Sequence, residues 1–229
     1  MKKTYLFIFF LLIACLRVSA APSYGTKMPE KWQLFLGTEA NYVFSRDLDR
    51  DLGNFNSGQA FITTTLGITD WFCIDAGIGG GSIRYNPNYT TEIDFPEGFA
   101  GKYGFRIKLY DKPDSAWKAV CGFQHISVHP KRKIVNNVKT EVIFDDWQLS
   151  LIGSYNDLGW FVPYAGAKIS RGDLIERQDS IRKRRKSDPD DSFGAVAGCY
   201  LFLTDEWWVT MEGRWFDESA TSFSVTHSF

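Results

Sequence analysis

The 229-residue sequence predicts an all-β fold, a closed antiparallel up-and-down barrel that crosses a membrane with its strands. Three observations carry this. Segments of about ten residues alternate apolar and polar side chains, the period of two that belongs to a strand. The connections between them are short and long in turn. The last residues alternate without a break: Phe223, Val225, His227 and Phe229 point one way, Ser222, Ser224, Thr226 and Ser228 the other.

The N-terminus has a different character. Met1-Lys2-Lys3 is positive, and the apolar run from Tyr5 to Leu16 is shorter than the roughly 20 residues a spanning helix needs. Val18-Ser19-Ala20 supplies small residues for cleavage, so residues 1–20 read as a secretory signal peptide. Leu12-Ile13-Ala14-Cys15 offers a lipidation site as the alternative. Residues 21–30 are then expected as a periplasmic N-terminal segment, and 31–229 as the barrel.

Ten strands are expected at 31–46, 57–69, 71–85, 99–110, 115–129, 144–156, 159–171, 192–204, 206–217 and 220–229, with eight as the alternative count. Thr69-Asp70, Asp111-Lys-Pro-Asp114, Asn156-Asp-Leu-Gly159 and Thr204-Asp-Glu206 have the residues of tight turns. Longer polar loops fall at 47–56, 86–98, 130–143 and 172–191, and Asp217-Glu-Ser-Ala220 is a short fifth. Short turns on one side and long loops on the other, with an even strand number, are the pattern of a membrane barrel with its termini on the short-turn, periplasmic side.

One parity of each strand meets lipid. In the first strand Leu34, Leu36, Thr38, Ala40 and Tyr42 oppose Gly37, Glu39 and Asn41. In the second, Ala60, Ile62, Thr64 and Leu66 oppose Gln59, Thr63 and Thr65. Tyr103, Phe105, Ile107 and Leu109 oppose Lys102, Arg106 and Lys108, and Trp207, Val209, Met211 and Trp215 oppose Thr210, Glu212 and Arg214. The apolar parities carry no charge, and a base facing mid-bilayer lipid costs about 2–4 kcal/mol. A soluble barrel would show the same alternation turned inside out. The Ser-, Thr- and Gly-rich polar faces favour the membrane form, as do Trp71, Trp147, Trp160, Trp207 and Trp208 near strand ends, where interfacial girdles sit. The strand Phe193 to Leu203 is apolar on both faces and has no legible orientation.

Composition excludes several classes. Loss of residues 1–20 removes Lys2, Lys3 and Arg17, leaving 23 bases against 27 acids, so no nucleic-acid partner is expected. Cys73, Cys121 and Cys199 are odd in number and far apart, which supports neither a disulfide framework nor a zinc site. His125 and His129 are separated by ~13 Å of strand and cannot share an ion. Asp47, Asp49 and Asp51 with Gly53 suggest a calcium loop, but the position of the glycine and the absence of a closing Glu do not match. No metal or cofactor is expected.

On Phe229, the turn rhythm and segments such as Val162-Pro-Tyr-Ala-Gly166, the chain resembles the small outer-membrane β-barrel superfamily. That resemblance implies a place in the bacterial outer membrane, lipid and lipopolysaccharide as neighbours, and the barrel-assembly machinery as a partner. Phe223, Val225 and Phe229 are implied as the assembly signal. The superfamily includes porins, adhesins, structural barrels and enzymes, so the fold leaves function open.

Two classes of function follow. Glu39, Asp75, Arg106, Lys108, Lys118, Lys168, Glu212 and Arg214 are expected in the lumen as either a salt-bridged plug or a narrow gated pore favouring anions. This reading is a non-enzymatic surface barrel with a structural or binding role. The alternative rests on Gln124-His125-Ile126-Ser127, whose His125 and Ser127 share the outward parity. They resemble the catalytic pair of outer-membrane lipid A 3-O-deacylases, which implies Ser127 as nucleophile, His125 as base and Glu141 as the group that orients it. The family's Asn after the serine is Val128 here. Finally, Arg182-Lys-Arg-Arg-Lys186 and Lys131-Arg-Lys133 place basic runs in surface loops, near lipopolysaccharide phosphates. The ligand of the loops is not legible.

Overall fold

The computed structural model describes residues 22–49, 52–88, 90–135, 137–178, 181–186 and 192–229. The expected signal peptide, Asp51, and Asp188, Asp190 and Asp191 of the last long loop lie outside the described residues.

Among the described residues twelve strands form one antiparallel sheet: β1 (Leu34–Asp47), β2 (Asn54–Thr69), β3 (Phe72–Asn86), β4 (Ile93–Asp111), β5 (Trp117–His129), β6 (Lys133–Val135), β7 (Val138–Tyr155), β8 (Phe161–Gln178), β9 (Ile181–Lys186), β10 (Phe193–Phe202), β11 (Trp207–Trp215) and β12 (Ser219–Ser228). All but β6 and β9 close into a ring of ten, each strand paired with the next, with β7 on β8 and β12 back on β1. The last strand seals the barrel through Phe35↔Ser228 to Val43↔Ala220, and Phe229 N donates to Leu34 O at 2.9 Å. Closure leaves no ring strand with an unpaired edge, the condition for strands to cross lipid. The short β6 and β9 pair only with β7 and β8, extending two hairpins beyond the ring.

The strand count agrees with the expected ten, but β4, β7 and β8 run much further than expected. Segments 93–98, 138–143 and 172–178 read as polar loops, yet all three are paired. They still alternate, with the sense reversed. Above the bilayer the outer face meets water and carries Asp94, Lys139, Glu141 and Arg177, while Ile93, Phe95, Val142, Phe144 and Leu174 are buried inside.

Within the spanning part, the outward face carries no Asp, Glu, Lys or Arg. It presents Leu36, Ile62, Ile74, Ile78, Phe105, Leu149, Leu151, Ile169, Met211 and Phe223, all exposed. Trp71, Trp117, Trp160, Trp207 and Phe229 ring the short-turn end, and Tyr103 and Trp147 stand at the other. Trp117 to Ser127 is ten residues of tilted strand, about 25 Å along the membrane normal, the height of an apolar belt. Trp208 departs from the expected girdle. It points inward and packs edge-on to Phe35 at 4.9 Å. The strand without a legible orientation, β10, turns Val196 and Tyr200 inward and Cys199 toward the outer wall, in register with outward Met211.

Candidate functional sites in the lumen and on the outer wall

The lumen is filled in three layers. At the loop end Val43, Phe55, Phe61, Ile83, Tyr85, Phe95, Val128, Phe144 and Leu174 make an apolar core. At the short-turn end a second core holds Phe35, Ile152, Val162, Tyr164, Tyr200 and Trp208. Between them lies a belt of ion pairs.

Each buried base in that belt meets a carboxylate. The Arg106 guanidinium grips Asp75 with two bonds of 2.8 and 2.9 Å, and Asp75 also accepts from Thr65 and Gln124. Lys102 Nζ lies 2.5 Å from Glu39. Arg214 donates to Glu212 at 2.9 Å and to Asn41 at 2.6 Å. Closer to the loops, Arg46 bridges Asp146 and Glu218 at 2.8 Å each and donates to Ser170, while Lys168 pairs with Asp217 and Glu218. Of the expected lumen charges, Glu39, Asp75, Arg106, Lys168, Glu212 and Arg214 sit here. Lys108 and Lys118 do not. They share Asp111 at the short-turn rim, at 3.0 and 3.1 Å, partly in solvent.

Sequence reasoning missed several members. Lys102 stands on the expected polar face with Arg106 but is not among the expected lumen charges. Arg46 could not be found, because strict alternation from Tyr42 and Phe44 would turn it outward. A bulge between Val43 and Arg46 reverses the parity and brings it in. Asp217 and Glu218 read as a surface turn, but their side chains fold down onto Lys168 and are 0% and 1% exposed.

The N-terminal segment differs most from expectation. Residues 22–29, expected in the periplasm, enter the barrel and seal its short-turn end. Ser23 donates its N–H and hydroxyl to Glu212 at 2.9 and 2.5 Å, and Thr26 bonds Ser154 at 2.6 Å. Arg106 donates to the carbonyls of Tyr24 and Lys27 at 3.1 and 2.8 Å, so one side chain serves both the belt and the plug. The Tyr24 ring lies under the Lys102 ammonium at 4.7 Å. Lys27 stands over Trp208 and Phe202 at 4.6 and 4.8 Å. Burial, with Lys118 nearby, holds the Lys27 ammonium below the usual lysine range. Gly25 makes the entry possible: its φ is +56°, and an added Cβ would lie 2.2 Å from the Tyr200 hydroxyl. Polar lumen walls left by a closed ring of Ser, Thr and charged residues favour such a strap, because it satisfies groups that bilayer geometry excludes from water. The space left beside it is a cavity of about 40 Å³ lined by Tyr24, Thr63, Thr65, Ser224 and Thr226. That volume holds a few water molecules.

On the outer wall, His125 and Ser127 do face outward, but the three residues of the hydrolase alternative do not meet. His125 Nδ1 bonds Asp146 O at 2.8 Å, and its ring stacks on Trp147 at 3.8 Å. Ser127 Oγ instead donates to Asp145 at 2.5 Å and lies 2.9 Å from His129 Nε2. Glu141 is held by Arg132 at 3.3 Å and Arg177 at 3.7 Å. Register places Trp147 opposite His125, so Glu141 is six positions and ~20 Å of strand away. The partners of Ser127 are thus Asp145 and His129, not His125 or Glu141. The backbone around Ser127 is paired in register with β4 and β7. Among the described residues no group of three or more His, Cys, Asp and Glu is placed to hold a metal ion.

No protein-family model matches the chain, and no curated protein sequence matches it. Among solved structures, it is similar to the attachment invasion locus protein Ail of Yersinia pestis at 9% identity, covering 87% of this chain and 99% of that one, with a TM-score of 0.44. An outer membrane channel of Pseudomonas putida F1 is 9% identical over 92% of this chain and 100% of its own, with a TM-score of 0.46. The outer membrane protease OmpT of Escherichia coli is 11% identical over 91% and 100%, also at 0.46. By its own closed ring of ten strands and the uncharged belt around it, the chain has the fold of a transmembrane β-barrel.

Proposed function

We propose that this barrel is closed to solutes and acts at the cell surface, through a structural or binding role of its outer hairpins. The observation that carries this reading is the filling of the lumen: an apolar core at each end, a paired ionic belt between, and residues 22–29 packed into the short-turn mouth. A conducting pore needs a continuous hydrated path through the lumen. Here the buried bases are bonded to carboxylates, and an isolated one would be unstable. The hairpins β6–β7 and β8–β9 rise beyond the bilayer on a rigid wall, the location where recognition is usually found. Planar bilayer recording on the folded protein tests this, with silence at ordinary voltages as the expected result. Stable, discrete conductance steps abolished by Arg106→Ala would replace it with the gated-pore reading.

A further inference from the structure

The N-terminal strap is anchored well inside the lumen, at the end nearest the start of the chain. Its anchor is Glu212 on β11, five residues beyond Trp207 of the short-turn girdle, or about 13 Å along the membrane normal for a strand tilted near 40°. The Glu212 carboxylate takes four donors. Tyr164 and Arg214 come from the barrel, at 2.9 Å each, and the Ser23 N–H and hydroxyl supply the other two. Pro22 and Ser23 are both buried. Pro22 suits its position, because it brings no N–H that would need a partner in the lumen.

A chain continuing ahead of Pro22 meets packed side chains in both directions. Toward the loops stand Arg214 on Asn41 and Lys102 on Glu39, and beyond them Phe55, Phe61, Phe95, Phe144 and Leu174. Toward the short-turn mouth, Phe35, Tyr164, Tyr200 and Trp208 pack together, and the Tyr200 hydroxyl accepts from Lys27 N and donates to Tyr24 O. Among the described residues the space left beside the strap is about 40 Å³, enough for a few waters rather than a second run of chain. The sequence sets a cut at the same place. Val18-Ser19-Ala20 is the expected cleavage motif, which makes Ala21 the first residue, directly ahead of buried Pro22.

We infer that plugging of the lumen is coupled to removal of the signal peptide: residues 22–29 take their seat only in a chain cut between Ala20 and Ala21. Hydrolysis of that amide consumes one water and leaves a carboxylate on Ala20 and an ammonium on Ala21, with a signal peptidase as catalyst and the barrel chain as substrate. In the uncut chain Glu212 keeps Tyr164 and Arg214 but lacks Ser23, and Arg106 lacks the carbonyls of Tyr24 and Lys27. The cut then acts as a switch on the strap, in addition to its part in export. The inference stands on the seat of the strap, whatever the outer hairpins bind.

Trypsin reads that seat. The Lys27 N–H and carbonyl are bonded to Tyr200 and Arg106, so the Lys27–Met28 bond cannot enter a protease while they hold. Three chains are folded in detergent micelles: residues 21–229, the full chain with its signal peptide, and residues 21–229 behind a short Gly-Ser extension. The first resists cleavage after Lys27, and the two longer chains are cut there on the order of tenfold faster, read by mass spectrometry. Gly25→Val in residues 21–229 supplies the unseated reference, since a Cβ there lies 2.2 Å from the Tyr200 hydroxyl. Signal peptidase added to the folded full chain restores protection. Heat-modifiable gel mobility verifies folding, and where the signal peptide prevents it the Gly-Ser chain decides. Equal protection of a folded longer chain overturns the inference. So does cleavage of residues 21–229 as fast as the Gly25→Val reference. Bilayer recording tests the closed-lumen reading separately, because the loop-end core is present in every one of these chains.

Discussion

Arg106 joins three parts of the molecule. Its Nε and Nη2 hold Asp75 on β3, and its Nη1 holds the carbonyls of Tyr24 and Lys27. Replacing it with Met leaves Asp75 charged and buried against only Thr65 and Gln124. Breaking a buried pair from one side costs about 3–5 kcal/mol, so Arg106→Met lowers unfolding stability by that order. Asp75→Leu added to Arg106→Met recovers part of the loss, because no uncompensated carboxylate remains. Urea unfolding in lipid vesicles, followed by tryptophan fluorescence, measures both. Equal losses for the single and double variants would show that the plug contacts, not the ion pair, carry the energy.

At the scale of elements, the N-terminal strap and the loop-end core fill opposite ends of the lumen. The strap contacts β4, β7, β10 and β11, and its exit is fixed where Trp32 N bonds Gly67 O at 2.8 Å. Gly67 leaves no room for a side chain, since a Cβ there would lie 1.9 Å from Glu30 O. Deleting residues 22–30 unpairs Ser23 from Glu212 and frees two Arg106 donors, so the barrel assembles but unfolds at lower urea. Bilayers remain silent, because Phe55, Phe95, Phe144 and Leu174 still fill the other end. Channel opening by this deletion alone would show that the strap is the only closure.

The whole molecule is held by one circular sheet, whose last seam is β12 on β1. Phe229 is 67% exposed, packs near His227 at 4.3 Å and anchors the final backbone bond to Leu34. Phe223, Val225 and Phe229 face outward rather than into the lumen. Removing Phe229 is expected to lower the fraction of chain assembled in the outer membrane several-fold more than cutting back the loop beyond β8. Cell fractionation with a heat-modifiability assay checks this. Normal assembly of the shortened chain would argue against a role for that residue.

Much of this architecture was legible in the sequence, because lipid imposes a simple rule on one parity of every spanning strand. Ten strands, their turns, the uncharged belt and the inward charges at 39, 75, 106, 212 and 214 all follow from a period of two and the cost of charge in hydrocarbon. The rule fails where its physical basis fails. Above the bilayer the outer face meets water, so β7 and β8 continue with the alternation inverted and look like loops. At Arg46 a bulge breaks the period, and at Asp217 and Glu218 a turn folds inward onto Lys168. The position of residues 22–29 depends on Glu212, Arg106, Ser154 and Tyr200, which lie 79 to 189 residues away along the chain. Local pattern determined which residues face lipid; only closure of the ring decided which of the others meet, because partners across a lumen share no register and no sequence period.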